Sequence, residues 1–488
     1  MPKERRDRAR PGWVAVARHR VARLPLLRRL VRRIGSVRQQ SRPMPGPVAP
    51  PELRRHGGGA DDPRFRADSP AALQDAWSYL RAEQVRTRHL EVEARIRERL
   101  TSGAPLRVVF VVNERSKWNA DGIVDAMLGR GWEVTTALYR MKRPGETPEE
   151  ARAMYEMERA FFQSLPGTFV DTHDWATETE QPVESLDADV ALLQQPWGME
   201  NFPRRLTGSA LPAYLHYGVP LMANHGMHFN VPGFHPYLWR RYVPSQLHRD
   251  VHLEHDSGGF ERLRVVGYPR FDAYLEPRPS PHEVGLWRHD GEPSARVIVA
   301  PHHSVGPTSL RMATFAWSHR ALLDLVDAHP TVSWIYKPHP RLRYALSRAG
   351  MMSREDYDEY EARWRRRPNC AVYDGPRYLD LFRTSDGLVT DCGSFLAEYL
   401  PTGNPVLRLI SQESIRFNTV GEYLRSGFYE VADAAALRST FDQVLIRRED
   451  PLAPRRAELA TLFQPGEGSS AEQIVRDLAE LSAAPADR

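Results

Sequence analysis

This 488-residue chain predicts an α/β fold built on parallel strands, and three observations carry that reading. Runs such as Arg296-Val297-Ile298-Val299-Ala300 and Val332-Ser333-Trp334-Ile335-Tyr336 have the near-continuous apolar pattern of strands buried on both faces. Each run passes directly into a polar loop: Pro301-His302-His303-Ser304 after the first, Lys337-Pro338-His339-Pro340 after the second. A third run, Gly387-Leu388-Val389, leads through the turn Thr390 to Ser394 into Phe395-Leu396-x-x-Tyr399-Leu400, which has helical spacing. Loops at the ends of such strands are where open α/β sheets bind ligands.

Taken in order, the chain begins with a basic arm. Residues 1–43 hold 14 Lys/Arg and two acidic residues, a balance of +12, against +5 for the whole chain, so the rest is mildly acidic. Trp13, Ala17, Val21, Leu24, Leu27, Val31 and Ile34 step at three and four, with Arg18, Arg20, Arg28, Arg29, Arg32 and Arg33 elsewhere. That pattern suits a basic amphipathic helix lying flat on an anionic bilayer, although Pro25 interrupts it. A solvated basic tail is the plainer alternative. Arginine breaks every apolar stretch of the arm, which does not suit a signal peptide, and no stretch of 18 apolar residues exists to span a membrane.

Residues 44–70, rich in Pro, Gly and Asp, read as a flexible linker. Residues 71–100 form a charged helical lead-in, with Leu80, Val85, Leu90 and Ile96 as its packed face. Residues 101–280 then make a first Rossmann-like domain. Its strands are Leu106 to Val112, Glu133 to Leu138, Asp189 to Leu193 and Arg264 to Val266, with a helix from Ile123 to Leu128. The loop Asn113-Glu114-Arg115-Ser116-Lys117-Trp118 and the segment Gln194-Gln195-Pro196-Trp197 lie at strand ends and face the cleft on the acceptor side. A crossover near 275–294 opens the second domain, residues 281–488, within which 453–483 is a candidate for a return to the first.

The three second-domain loops point to a phosphate pocket. Gly393 has no side chain to obstruct a phosphate, Ser394 adds a hydroxyl donor, and Glu398 lies about one turn on, within reach of a ribose diol. Lys337, His339, Arg341 and Arg343 offer a positive face on a loop stiffened by two prolines. Each motif alone has a plain reading: Ser394 as an ordinary helix cap, His302 and His303 as solvated turn residues. Three of them within about 100 residues favour one shared site for a nucleotide diphosphate.

Gly267-Tyr268-Pro269-Arg270-Phe271-Asp272, Ala300-Pro301-His302-His303-Ser304, Lys337-Pro338-His339-Pro340 and Thr390-Asp391-Cys392-Gly393-Ser394-Phe395-Leu396-Ala397-Glu398-Tyr399 occur in the order of the CDP-glycerol glycerophosphotransferase family. The chain resembles these teichoic-acid primases, polymerases and capsule relatives over residues 105–430. The resemblance implies a GT-B fold, two Rossmann-like domains facing a central cleft, with the donor nucleotide mainly on the second. It implies transfer of a polyol phosphate from CDP-glycerol or a similar CDP-alcohol to an acceptor hydroxyl, lipid-linked or glycan, with release of CMP and no cofactor or metal. His339 then acts on the phosphate with Lys337 and Arg341, while His302, His303, Ser304, Asp391, Gly393, Ser394 and Glu398 bind nucleotide and phosphate. A cytoplasmic location, peripheral on the inner face of the cell membrane, fits a lipid-linked acceptor.

Departures from that family concern the general base. Relatives carry a Trp-His-Gly-Thr-Pro motif; here His225-Gly226 matches by dipeptide, whereas Tyr217-Gly218 matches by spacing to Gly267 and replaces histidine with tyrosine. Among His216, His225, His228 and His235, His228 is the favoured base and His225 the second; Tyr217 and Arg270 line the cleft. Metal ligation by His225-x-x-His228 or His302-His303 is the lesser reading, since no His-Glu-x-x-His motif is present and Cys370 and Cys392 lack zinc-like spacing. Two cysteines give no disulfide framework. No Gly-x-Gly-x-x-Gly follows the first strand, which argues against a dinucleotide oxidoreductase, the lack of a Walker loop excludes a P-loop ATPase, and no nucleic-acid partner is expected. A GT-B glycosyltransferase using a nucleotide-sugar and a non-catalytic scaffold at the membrane surface are the alternatives.

Overall fold

The computed structural model describes residues 70–142, 146–223, 231–255, 262–306, 310–375, 378–463 and 468–482. The basic arm, nearly all of the linker, His225 and His228 lie outside them. The chain divides into two compact units, 1–80 and 81–488, and the second carries everything that follows. Among the described residues no helix is long and apolar enough to cross a membrane.

Two parallel sheets organise the body. The first contains β1 (Arg107–Val112), β2 (Glu133–Leu138), β3 (Thr168–Asp171), β6 (Val190–Leu193), β7 (Leu211–Leu215), β8 (Arg240–Val243) and β9 (Leu263–Val265), in the order β3-β2-β1-β6-β7-β8-β9. A small hairpin, β4 (His173–Asp174) with β5 (Thr179–Glu180), follows β3. The second sheet contains β10 (Ala295–Ala300), β11 (Val332–Tyr336), β12 (Cys370–Val372), β13 (Gly387–Thr390), β14 (Val406–Leu409) and β15 (Tyr429–Val431), in the order β12-β11-β10-β13-β14-β15. Burial on both faces explains why the central strands read as apolar runs; β6, β7, β11 and β13 are buried at every residue.

The helix Pro70–Thr101 presents Val85, His89, Val92 and Ile96 as its buried stripe from residue 81 onward. Leu90, expected on that face, is 50% exposed: it falls off the line set by Val85, Val92 and Ile96, and Val92 takes its place. Trp239 Nε1 donates to Glu93 Oε1 at 2.6 Å, which ties this helix to the first sheet.

Assignment of all of 281–488 to the second domain is corrected at its end. Helix Ser470–Ala479 buries Ala471, Ile474, Val475 and Leu478 in the first domain's core. Among the described residues of 453–483 the return begins with this helix and includes Leu481 after it, whereas Leu459 and Phe463, before it, belong to the second core. Asp272 caps the returning helix, accepting from the backbone N–H groups of Ser470 and Ala471 at 2.8 and 2.9 Å. Asp477 accepts from Arg240 Nε at 3.2 Å, Arg264 Nε at 2.8 Å and Tyr242 Oη at 2.9 Å. The domains also join directly: Leu221 O accepts from Asn418 N at 2.8 Å, and Ala223 N donates to Arg416 O at 2.9 Å.

Asp477 is buried among these three donors, so Asp477→Ala removes the carboxylate they share. It should lower the unfolding free energy by about 2–4 kcal/mol, measured by urea unfolding of the whole chain.

Candidate active site

In both sheets the strand order reverses beside the first strand, between β1 and β6 and between β10 and β13. Loops leaving those strands diverge and open a crevice at each switch point. In the second domain the crevice is lined by residues after β10, β11 and β13, so the three loops singled out from sequence do converge. His339 N donates to Pro301 O at 3.0 Å, and His302 N donates to Asp391 Oδ1 at 2.6 Å.

Three imidazoles meet there. Ring centroids are 4.3 Å apart for His302 and His303, 3.9 Å for His303 and His339, and 5.3 Å for His302 and His339. All three are held neutral. Burial is the first cause, pushing His302 down to about 3 and His303 down to about 2; His339 is also well below the ordinary range. Lys117 lowers all three further, and Arg341 adds to this at His303 and His339.

A neutral imidazole carries one N–H and one lone pair. Ser304 N donates to His302 Nδ1 at 3.2 Å, and Arg341 N donates to His339 Nδ1 at 3.1 Å. With Nδ1 accepting, the proton on each of these rings sits on Nε2. One ligand atom from each of the three histidines lies within 4.8 Å of the others, which raises a metal site. A metal needs a lone pair, and on His302 and His339 the lone pair is committed to backbone. The cluster is therefore better suited to donating N–H groups to an anion.

Several predicted residues have supporting places instead of direct ones. Asp391, expected at the phosphate, is 4% exposed and accepts from His302 N, from Thr314 N at 2.6 Å and from Thr314 Oγ1 at 2.8 Å. It fastens the loops from below, and burial lifts its pKa to about 6. Ser304 Oγ lies 2.9 Å from His302 Nδ1 and accepts from Met312 N at 3.0 Å, so it orients the histidine. A Cβ on Gly393 would meet Met222 Cε at 2.9 Å and Met312 Cε at 3.1 Å. Its missing side chain thus makes room for methionines, one from each domain, and not for a phosphate. Ser394 is half-buried, with Oγ 3.5 Å from Cys392 Sγ. It faces the first domain: its Cβ is 3.9 Å from the position a Cβ on Gly218 would take.

Lys337 does not stand on a positive outer face. It is buried, donates to Gly375 O at 3.2 Å, and lies 4.9 Å from the Tyr378 ring centroid, with burial lowering its pKa to about 8. Arg343 turns to the surface and pairs with Asp358 at 2.6 Å. Arg341 crosses the cleft, donating from Nη2 to Glu114 Oε1 at 2.6 Å. Glu398 is not open to a ribose. It is 2% exposed; Tyr268 Oη lies 3.2 Å from Oε1, and Tyr378 donates to Oε2. Burial raises its pKa, against the pull of Arg270.

Across the crevice stand Glu114, Lys117, Gln195, Trp197 and Tyr217, from the ends of β1, β6 and β7. Tyr217 packs against Trp197 at 5.6 Å between centroids, and Lys117 Nζ sits 4.4 Å from its ring centroid. Burial raises the Tyr217 pKa, so it does not replace histidine as a base. Arg270 Nη1 donates to Tyr378 Oη at 2.6 Å and Nη2 to the carbonyls of Ser116 and Trp118 at 2.9 and 3.0 Å. His216 and His235 are buried within the first domain around Tyr214, 4.3 and 5.9 Å from its ring. Glu114, Lys117 and Tyr378 were not singled out from sequence. The first two lie in a loop recognised as facing the cleft, but Tyr378 gives no signal before the chain folds.

No family model matches this chain, and no curated protein matches it. Solved structures do. Wall teichoic acid polymerase TagF is similar at 14% identity and TM-score 0.50, over 84% of this chain and 96% of that one. The UDP-GlcNAc 2-epimerase from Neisseria meningitidis bound to UDP-GlcNAc is similar at 14% identity and TM-score 0.51, over 77% and 100%. That from Methanocaldococcus jannaschii in complex with UDP-GlcNAc and UDP has 12% identity and TM-score 0.50, over 77% and 100%. At these identities the likeness is one of fold. The chain is an α/β protein of the GT-B fold, with two Rossmann-like domains across a cleft.

Two outcomes test the support of the cluster. Asp391→Ala strands the buried backbone N–H groups of His302 and Thr314 and should cost about 2–4 kcal/mol of unfolding free energy, read by urea denaturation. For the histidines, the folded-state pKa lies below the ordinary 6.5, so the folded chain binds fewer protons than the unfolded one down to about 3. Their contribution to stability is whole above pH 6.5 and is lost as pH falls through that window. A His302→Asn/His303→Asn double variant should show a flatter fall of unfolding free energy with acid; parallel curves would contradict the cluster's neutrality.

Proposed function

We propose that this cleft transfers a polyol phosphate, glycerol or ribitol phosphate, from a CDP-alcohol to an acceptor hydroxyl, in synthesis of a teichoic-acid-like or capsular polymer. The observation that carries the reading is the cluster of His302, His303 and His339, three neutral rings at the switch point of the second sheet. Nε2–H groups on His302 and His339 suit the non-bridging oxygens of a diphosphate. In the step, the acceptor oxygen bonds to the phosphorus bearing the polyol, and the bridging P–O bond breaks. The electron pair leaves on CMP, and the hydroxyl proton passes to a base. His228 is the proposed base with His225 as its alternative, on the segment that follows the interdomain pairing of Leu221 to Ala223 with Arg416 to Asn418. Fixed donors suit this chemistry, because phosphoryl transfer is governed by positioning and charge.

A cytoplasmic place on the inner membrane face, through residues 1–43, belongs to the same reading and brings the enzyme to a lipid-linked acceptor. The second reading, a GT-B glycosyltransferase or related enzyme using a nucleotide-sugar, draws on the UDP-GlcNAc enzymes that share the fold. CMP release from CDP-glycerol and CDP-ribitol, assayed beside UDP release from UDP-sugars, separates the two. Turnover of a CDP-alcohol is expected, and His339→Asn should lower its kcat by about 100-fold or more with little change in thermal stability. Turnover of UDP-sugars alone would favour the second reading. No turnover of any donor by folded protein would favour a non-catalytic scaffold.

A further inference from the structure

Lys117 holds a positive charge inside the cleft, and the carboxylate that acts on it, Glu114, is already bonded to Arg341. Among the described residues its Nζ makes no hydrogen bond or ion pair, and it rests 4.4 Å from the centroid of the Tyr217 ring. Neighbouring cations are committed elsewhere: Arg341 to Glu114, Arg270 to Tyr378 and two carbonyls, Lys337 to Gly375 O. Lys117 is half-buried, and burial lowers its pKa against the pull of Glu114, with Arg341 and Arg270 lowering it further. Such a group is stabilised when an anion arrives.

Its position says where that anion would be. Lys117 ends the short turn Arg115–Lys117 after β1, and Arg270 pins that turn through Ser116 O and Trp118 O. From the first-domain wall its field reaches His302, His303 and His339 alike. Those rings are neutral, so they offer hydrogen bonds but no net charge to a diphosphate. The missing charge stands opposite them.

We propose that Lys117 is a catalytic residue, its ammonium lying against a non-bridging oxygen of the phosphoryl group presented by the three histidines. This rests on the phosphate reading of the cleft given above. As the acceptor oxygen bonds to phosphorus and the bridging P–O bond breaks, the electron pair departs on CMP and the acceptor's proton goes to the base. Lys117 exchanges no proton in the step; it offsets the negative charge that the neutral histidines leave uncompensated. Because it belongs to the acceptor-side domain, it acts on the transfer more than on docking of the nucleotide.

Two measurements test this. Lys117→Met should lower kcat for CMP release by about 100-fold while the Kd for CDP, from calorimetry, changes less than about fivefold. Lys117→Arg, which keeps the charge, should recover most of the rate. In the wild-type chain, modification of Lys117 by an amine-acylating reagent, followed by peptide mass spectrometry, should slow about tenfold with inorganic pyrophosphate at ten times its Kd. A Lys117→Met enzyme as fast as wild type, or labelling indifferent to pyrophosphate, overturns the proposal. Should the wild type release no CMP from any CDP-alcohol, the polyol reading fails, and the labelling measurement still decides whether Lys117 meets a phosphate.

Discussion

A buried guanidinium holds the two halves of the cleft in register. Arg270 reaches from the segment after β9 to the carbonyls of Ser116 and Trp118 on one side and to Tyr378 Oη on the other. Tyr378 and Tyr268 both meet the carboxylate of Glu398, and Tyr268 Oη also lies 2.7 Å from Tyr217 O. One carboxylate, two phenols and one guanidinium thus join the β1 loop, the β7 loop, the segment after β9 and the helix after β13. A buried charge is tolerable only when its hydrogen bonds are met, so these groups specify one arrangement of the two domains.

That arrangement also explains an apparent paradox of charge. The second domain's loops are rich in His, Lys and Arg, yet folding removes most of their positive charge from the crevice. Burial lowers the pKa of all three imidazoles, with neighbouring histidines adding to this at His303 and His339, Lys337 is drawn under Tyr373 and Tyr378, and Arg343 faces Asp358 outside. What remains on that side is a set of directed N–H donors. Glu114 and Lys117 stand on the other wall, Glu114 bonded to Arg341, so both domains contribute charged groups to the crevice.

Much of the fold was legible because burial writes directly into composition. Strands covered on both faces must be apolar at nearly every residue, so β1, β10, β11 and β13 stood out as runs, and the loops after them marked the ligand end. Roles within those loops were less legible. Asp391 and Ser304 looked like phosphate contacts because short polar residues at strand ends often are; the same chemistry serves equally well to fasten one loop to another. Glu398 is one helical turn from Ser394, as a ribose contact would require, but its direction depends on Tyr268 and Tyr378, far away in sequence.

The sequence by itself determined the parallel α/β architecture, the two-domain plan and the three loops that meet at the second switch point, since each depends on local pattern and strand order. Only the tertiary structure decided which nitrogen of His302 and His339 carries the proton, which cations are already paired, and that the last helix returns to the first domain. Those properties depend on partners brought together across the cleft or on burial by distant segments, and no local pattern encodes them.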